Sequence, residues 1–215
     1  IIARNQHVVR VDWDTVLTTE IARQSGVMNA VERALPACDA LIIQDYHKGL
    51  IQPALFDLVK CITIPVIVDP NRYHTITYRG MVATPNLEEA RILSGVACSG
   101  ADALACLPAI AEAFFARHDV ENLLITLGEK GIALCARDGA IQRCQAAKSH
   151  NVYDVSGAGD TVCAVLSAAL AGGAPLWPAS QLANMAGGIV VGKMGTATTT
   201  RIELQELLGQ VGMIE

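Results

Sequence analysis

The chain has 215 residues, of which 52% are hydrophobic and only 17% charged. That balance excludes a disordered chain and suits one sizeable domain with a large buried core. A formal net charge of -5, with no Lys/Arg cluster, argues against nucleic acid as a partner, because neutralising a phosphate backbone needs a basic face. Aromatic residues make up just 4%, so Ala, Val, Ile and Leu must fill the core, as they do in parallel strands buried on both faces.

The hydrophobic pattern predicts a strand over residues 7–12, a helix over 16–35 closed by Pro36, and a buried strand over 40–44. The loop Asp45-Tyr46-His47-Lys48-Gly49 follows, then a helix over 53–61 with proline at its start. Buried strands are predicted at 65–69 and 81–84. Pro85 and Asn86 then open a helix that runs to Leu93, and a further helix covers 102–117. Strands over 122–127, 132–136 and 141–144 come next, the last two joined by a hairpin turn at Arg137-Asp138-Gly139-Ala140. Apolar helices over 157–171 and 176–191 and a short helix over 202–208 complete the pass. Alternating strands and helices imply βαβ crossovers and a mostly parallel sheet in one α/β domain, with ligands at the carboxyl ends of the strands. Asp45, Asp69, Asn86 and Thr126 each lie at or just after the carboxyl end of a predicted strand.

Residues 161–192 carry no charge, but Gly172, Gly173, Pro175 and Pro178 divide them, so we expect two buried helices and no membrane span. The seven cysteines are odd in number and lack CxxC spacing, which speaks against zinc or a disulfide framework and for small apolar residues in a reducing cytoplasm. Gly187, Gly192 and Lys193 imitate a Walker A motif, yet Met194 stands where Ser or Thr must bind Mg²⁺, and the segment lies in a predicted helix.

The chemistry concentrates in Asp154-Val155-Ser156-Gly157-Ala158-Gly159-Asp160-Thr161. Small residues before a helix let its free N–H groups approach an anion closely. A carboxylate in that first turn repels phosphate, so Asp160 makes sense as a base for an attacking hydroxyl. The plain structural alternative is a glycine turn whose Asp favours the helix dipole. Asn86 and Glu89, taken alone, read as a helix capping box. Thr126-Leu127-Gly128-Glu129-Lys130-Gly131 reads as a glycine turn after a strand, and Asn184 as a helix-packing amide.

Together these segments resemble the pfkB carbohydrate kinases, whose second signature is D-[TV]-[ST]-G-A-G-D. The resemblance implies a ribokinase-like three-layer α/β sandwich. It makes Gly157, Ala158 and Gly159 the anion hole, and Asp160 the catalytic base. It also implies that Asn86 and Glu89 organise Mg²⁺, that Thr126, Gly128 and Gly131 touch ATP, and that Asn184 lies near the adenine. A monovalent cation is left open. Asp45-Tyr46-His47-Lys48-Gly49 resembles the D-Y-x-K-G segment of heptose-7-phosphate kinases of bacterial surface-sugar synthesis, which puts Asp45 and Lys48 on the acceptor side. Arg4-Asn5-Gln6 with Arg10 and Asp12, and Ala183-Asn184-Met185-Ala186 through Thr196, fit the same kinases. The implied partners are ATP and a sugar phosphate, in the cytoplasm.

Two departures accompany the resemblance. The family's N-terminal strands, Gly-Gly motif and β-sheet lid have no counterpart in a chain that starts at Ile1, so we expect an N-terminally truncated kinase domain. Such a chain is expected to bind nucleotide yet transfer phosphoryl poorly, because a lid excludes water. A homodimer or a separate N-terminal chain is expected to cover the exposed sheet edge. Asn71 stands where these heptose kinases usually carry Lys.

Overall fold

The computed structural model describes residues 2–3, 6–7, 13, 15–18, 20–21, 26–73, 76–97, 104–146, 157–195 and 197–210. Strands β1 (Ile2–Ala3) and β2 (Gln6–His7) pair antiparallel. Of the strand expected over 7–12, residues 8–12 lie outside the described residues. Helix α1 spans Val27–Ala34, and a short 3₁₀ turn follows at Leu35–Ala37. The helix expected from residue 16 is therefore corrected in part: residues 15–18 are not helical, residues 20–21 are, and α1 starts anew after Gly26, whose φ of 72° lies in the left-handed region.

The main sheet has six strands in the order β3 (Leu41–Gln44), β4 (Val66–Asp69), β5 (Arg79–Ala83), β6 (Asp119–Thr126), β7 (Ile132–Ala136) and β8 (Ile141–Cys144). The first four run parallel, and β7 and β8 return antiparallel. Strand order follows chain order, so each crossover from β3 to β6 advances one position. Helix α2 (Pro53–Val59) links β3 to β4. Helices α3 (Leu87–Ser94) and α4 (Leu107–Arg117) link β5 to β6. The latter begins later than the residue 102 expected from the pattern. Residues 104–106 form a turn, and Pro108 sits in the first turn of α4, where its missing N–H costs no helix bond.

Residue parity divides the core between two faces. Val66, Val68, Leu123 and Ile125 join Phe56, Leu93, Ile110 and Phe114 under α2, α3 and α4. Ile67, Val82 and Leu124 face the other way, against Val162 and Leu166 of α5 (Ala158–Ala171) and Ala183 of α6 (Leu176–Val191). Helix α7 (Arg201–Gln210) packs on α6. The result is helix, sheet, helix: three layers in which both faces of the parallel strands are covered, as their continuous apolar runs require. Gly187 brings α6 close to α5. A Cβ there would lie 3.1 Å from a Val162 methyl, so the residue that imitates a Walker A glycine serves helix packing.

Among the described residues β3 and β8 are the edge strands of this sheet, with β4 and β7 as their neighbours. No helix among them is long and apolar enough to cross a membrane. The cysteines correct one expectation. Cys135 and Cys163 are buried free thiols, but Cys38 and Cys61 are exposed and Cys106 is disulfide-bonded. A bridge requires that two cysteines come within reach with their Cβ atoms facing, which CxxC spacing does not decide.

Candidate active site

The carboxyl ends of β3, β4, β5 and β6 line up as one rim, because the ladder continues past the strands. The N–H of Asp45 donates to the Asp69 carbonyl at 2.9 Å, that of Thr84 to Val68 at 2.9 Å, and that of Thr126 to Pro85 at 3.0 Å. Asn86 and Thr126 form an isolated parallel bridge. The rim thus gathers Asp45, Asp69, Asn86 and Thr126, as the positions after the predicted strands implied.

Helix α5 points its N-terminus at this rim. Gly157 caps it at φ 79°, a left-handed value that favours glycine, and its carbonyl accepts from the Thr161 N–H at 2.9 Å. A Cβ on Gly159 would meet nothing within 4 Å, so the first turn opens onto free space. The helix is anchored one turn further in. Thr84 Oγ1 lies 3.1 Å from Cys163 Sγ, and burial, with Asp69 nearby, pushes that thiol up to about 12. Asp154, Val155 and Ser156 of the motif lie outside the described residues.

Asp160 is exposed in the first turn of α5, and two residues from the β3 side hold it. Gln44 Nε2 donates to Asp160 Oδ1 at 2.7 Å, and the Tyr46 hydroxyl donates to the same oxygen at 3.2 Å. Gln44 is the register partner of Asp69 across the parallel ladder, and its nearby amide tempers the rise of that carboxyl. Asp69 is pushed up to about 7, first by burial and then by the carboxylates of Glu89 and Asp160. Three acids from three elements therefore share one field. Sequence reasoning passed over Gln44 and Tyr46. The available signal was an amide closing an otherwise apolar buried strand, where a polar side chain needs a partner.

Asn86 and Glu89 form the capping box that their spacing allowed. Asn86 N–H donates to Glu89 Oε2 at 2.9 Å, and Glu89 N–H donates to Asn86 Oδ1 at 2.9 Å. Gly128 and Gly131 frame a 3₁₀ turn after β6. At Gly131, with φ 83°, a Cβ would fall 2.0 Å from the Cys144 carbonyl oxygen, so only glycine fits. Asn184 is buried, and its Nδ2 donates to the Gln145 carbonyl at 2.7 Å, tying α6 to the end of β8. The packing role open at that position is thus realised.

Asp45 is engaged on both oxygens. His47 N–H donates to Oδ1 at 2.9 Å, while Asn71 Nδ2 at 2.5 Å and the Tyr78 hydroxyl at 2.9 Å donate to Oδ2. Asn71 is itself buried and accepts from the Tyr73 N–H at 2.7 Å. His47, at φ 56°, stacks on Tyr73 with ring centroids 4.4 Å apart. Asp45 and Asn71 thereby clamp the loops after β3 and β4 together. Lys48 lies exposed in the first of these loops, and its carbonyl accepts from the Leu17 N–H at 2.8 Å.

Residues 54–203 match the family described as pfkB family carbohydrate kinase. This chain belongs to that family. The pfkB match spans most of the sheet, all of the rim from Asp69 onward, and α5 with α6. The family is one of phosphotransferases, so the chain is of kinase type. It is 38% identical over 211 residues to a "Bifunctional protein HldE" of Aeromonas salmonicida, covering 97% of this chain and 43% of the relative. A protein of the same name from Citrifermentans bemidjiense is 37% identical over 218 residues, covering 99% of this chain and 43% of the relative. The pfkB chain therefore spans less than half the length of these relatives. Among solved structures, it is similar to Arabidopsis thaliana ribokinase complexed with ribose and ATP. The TM-score is 0.66 at 20% identity, covering 91% of this chain and 61% of that one. The fold is ribokinase-like.

Proposed function

We propose that this chain is the nucleotide-binding and catalytic part of an ATP-dependent sugar kinase whose acceptor is D-glycero-β-D-manno-heptose 7-phosphate, phosphorylated at O1. The observation that carries the reading is Asp160: a carboxylate in the first turn of a glycine-capped helix, beside open space and held by donors on a single oxygen. The N–H groups of residues 157–159 would bind the transferred phosphoryl group. Asp160 Oδ2 takes the proton of the acceptor hydroxyl. The freed oxygen bonds to the γ-phosphorus as the bond to the bridging oxygen breaks, and ADP leaves. Thr126, Gly128 and Gly131, on the same rim, would line the nucleotide phosphates. The acceptor assignment rests on the loop from Asp45 to Gly49 and on the HldE relatives. The plant ribokinase of this fold is complexed with ribose and ATP, which supports a sugar and ATP as the ligands.

Mg²⁺ fits this rim as an ion shared with the nucleotide. No group of three or more His, Cys, Asp or Glu that could hold a metal occurs among the described residues. Yet the raised Asp69, beside Glu89 and Asp160, marks a negative field that a dication relieves. Asn86 and Glu89 would hold it together with water and phosphate oxygens, as Mg²⁺ prefers. When bound, the ion neutralises charge on the β- and γ-phosphates.

A second reading keeps the kinase and changes the acceptor to ribose, a fructose phosphate or a nucleoside. Asn71 favours it, because a buried amide replaces the lysine usual in heptose kinases. An acceptor panel at equal Mg·ATP separates the two. Turnover confined to the heptose phosphate supports the first reading, and turnover of another sugar in its place refutes it.

A further inference from the structure

We infer that Gln44 is a positioning residue for Asp160: its carboxamide donates to one carboxylate oxygen and so fixes which oxygen faces the acceptor. The inference rests on the reading of Asp160 as the base. Gln44 closes β3, and its register partner across the parallel ladder is Asp69 at the end of β4. Parity turns both side chains toward the face covered by α5, where Asp160 sits in the first turn. The Gln44 Nε2 to Asp160 Oδ1 distance is 2.7 Å across 116 residues of chain. The donor stands at the end of a strand whose register is fixed by its neighbour, so the ladder sets its reach to Asp160.

The second donor sharpens the geometry. The Tyr46 hydroxyl reaches the same Oδ1 at 3.2 Å. With Gln44 and Tyr46 both on Oδ1, Oδ2 is the oxygen presented to the acceptor hydroxyl. An exposed aspartate without such donors samples several rotamers, and a base displaced by about 1 Å loses on the order of a hundredfold in rate. Replacement of Gln44 by a side chain without N–H donors would remove the hold.

The test has two readouts. In side-chain amide NMR spectra of the full chain, Asp160→Ala is expected to shift the Gln44 carboxamide protons. Gln44 protons that ignore Asp160→Ala overturn the inference, whatever the chain's activity. In Mg·ATP-dependent transfer to the heptose phosphate, Gln44→Met is expected to lower kcat roughly 10- to 100-fold while KM for ATP stays within about twofold, the signature of an interaction used in the transition state. Tyr46→Phe should produce a smaller loss of the same kind. An unchanged kcat in folded Gln44→Met, beside an inactive Asp160→Asn, sinks the positioning role and leaves the base intact. Full activity in Asp160→Asn instead sinks the base, and the inference with it.

Discussion

Removing the charge of Asp69 should make the protein more stable, increasingly so as pH rises. Burial and the neighbouring Glu89 and Asp160 carboxylates raise this carboxyl from 3.8 to about 7. A carboxyl so raised keeps its proton in the folded chain after the unfolded chain has released it. Between those two values folding takes up a proton, and stability falls as pH rises. At about 1.4 kcal/mol per tenfold change in the protonation equilibrium, the full displacement sets a ceiling of about 4 kcal/mol above neutral pH. Part of it is already present at pH 5, so the growth between about pH 5 and pH 8 has a ceiling near 2.5 kcal/mol, and we expect about 1–2 kcal/mol. Asp69→Asn keeps the size and shape of the side chain but never ionises. Urea denaturation of parent and variant at both pH values gives the comparison directly, provided the m-values agree. The variant's advantage should widen by that amount at the higher pH. A difference that is constant with pH, or that narrows, would refute the claim that Asp69 sits in a shared negative field.

Three further outcomes follow from particular contacts. Gly131→Ala should destabilise by at least about 2 kcal/mol in thermal or urea unfolding, since its Cβ would meet the Cys144 carbonyl at 2.0 Å and φ is 83°. A smaller loss would mean that the turn after β6 relaxes freely. Tyr78→Phe should cost about 1–3 kcal/mol by taking a donor from the Asp45 carboxylate, and a neutral result would remove the buried clamp between the two loops. Chelation of Mg²⁺ with excess EDTA should abolish phosphoryl transfer and weaken ATP binding, while urea stability without nucleotide stays the same. A loss of fold on chelation would contradict an ion that is shared with the nucleotide.

The parallel half of the sheet was legible because its strands are unbroken apolar runs ending in polar residues, as in Val66–Asp69. The bounds of α6 were legible as well, since Pro175 and Gly192 punctuate both ends. Helix starts were harder. Periodicity runs through Gly26 without a break, but the left-handed backbone there begins a new helix. At the site, the motif glycines and Asp160 could be read locally, because one helix terminus carries them all. Gln44 and Tyr46 could not, since their partner lies more than a hundred residues away and only the sheet order brings β3 under α5. Asn71 illustrates the same limit. From sequence it stood out only as a departure from the lysine usual in heptose kinases, whereas its side chain ties Asp45 to Tyr73. The Asn86 and Glu89 pair supported two readings from spacing alone. The capping box is present, and a metal role would have to use the same two residues.

Calorimetric titration of the parent chain with Mg·ATP, beside Gly157→Val, tests the central claim most directly. The account predicts saturable binding by the parent and its loss in a folded variant, because a branched side chain at φ 79° distorts the N-terminus of α5 and blocks the phosphate site. Equal binding by both proteins, or none by a well-folded parent, would contradict the assignment of this rim as the nucleotide site.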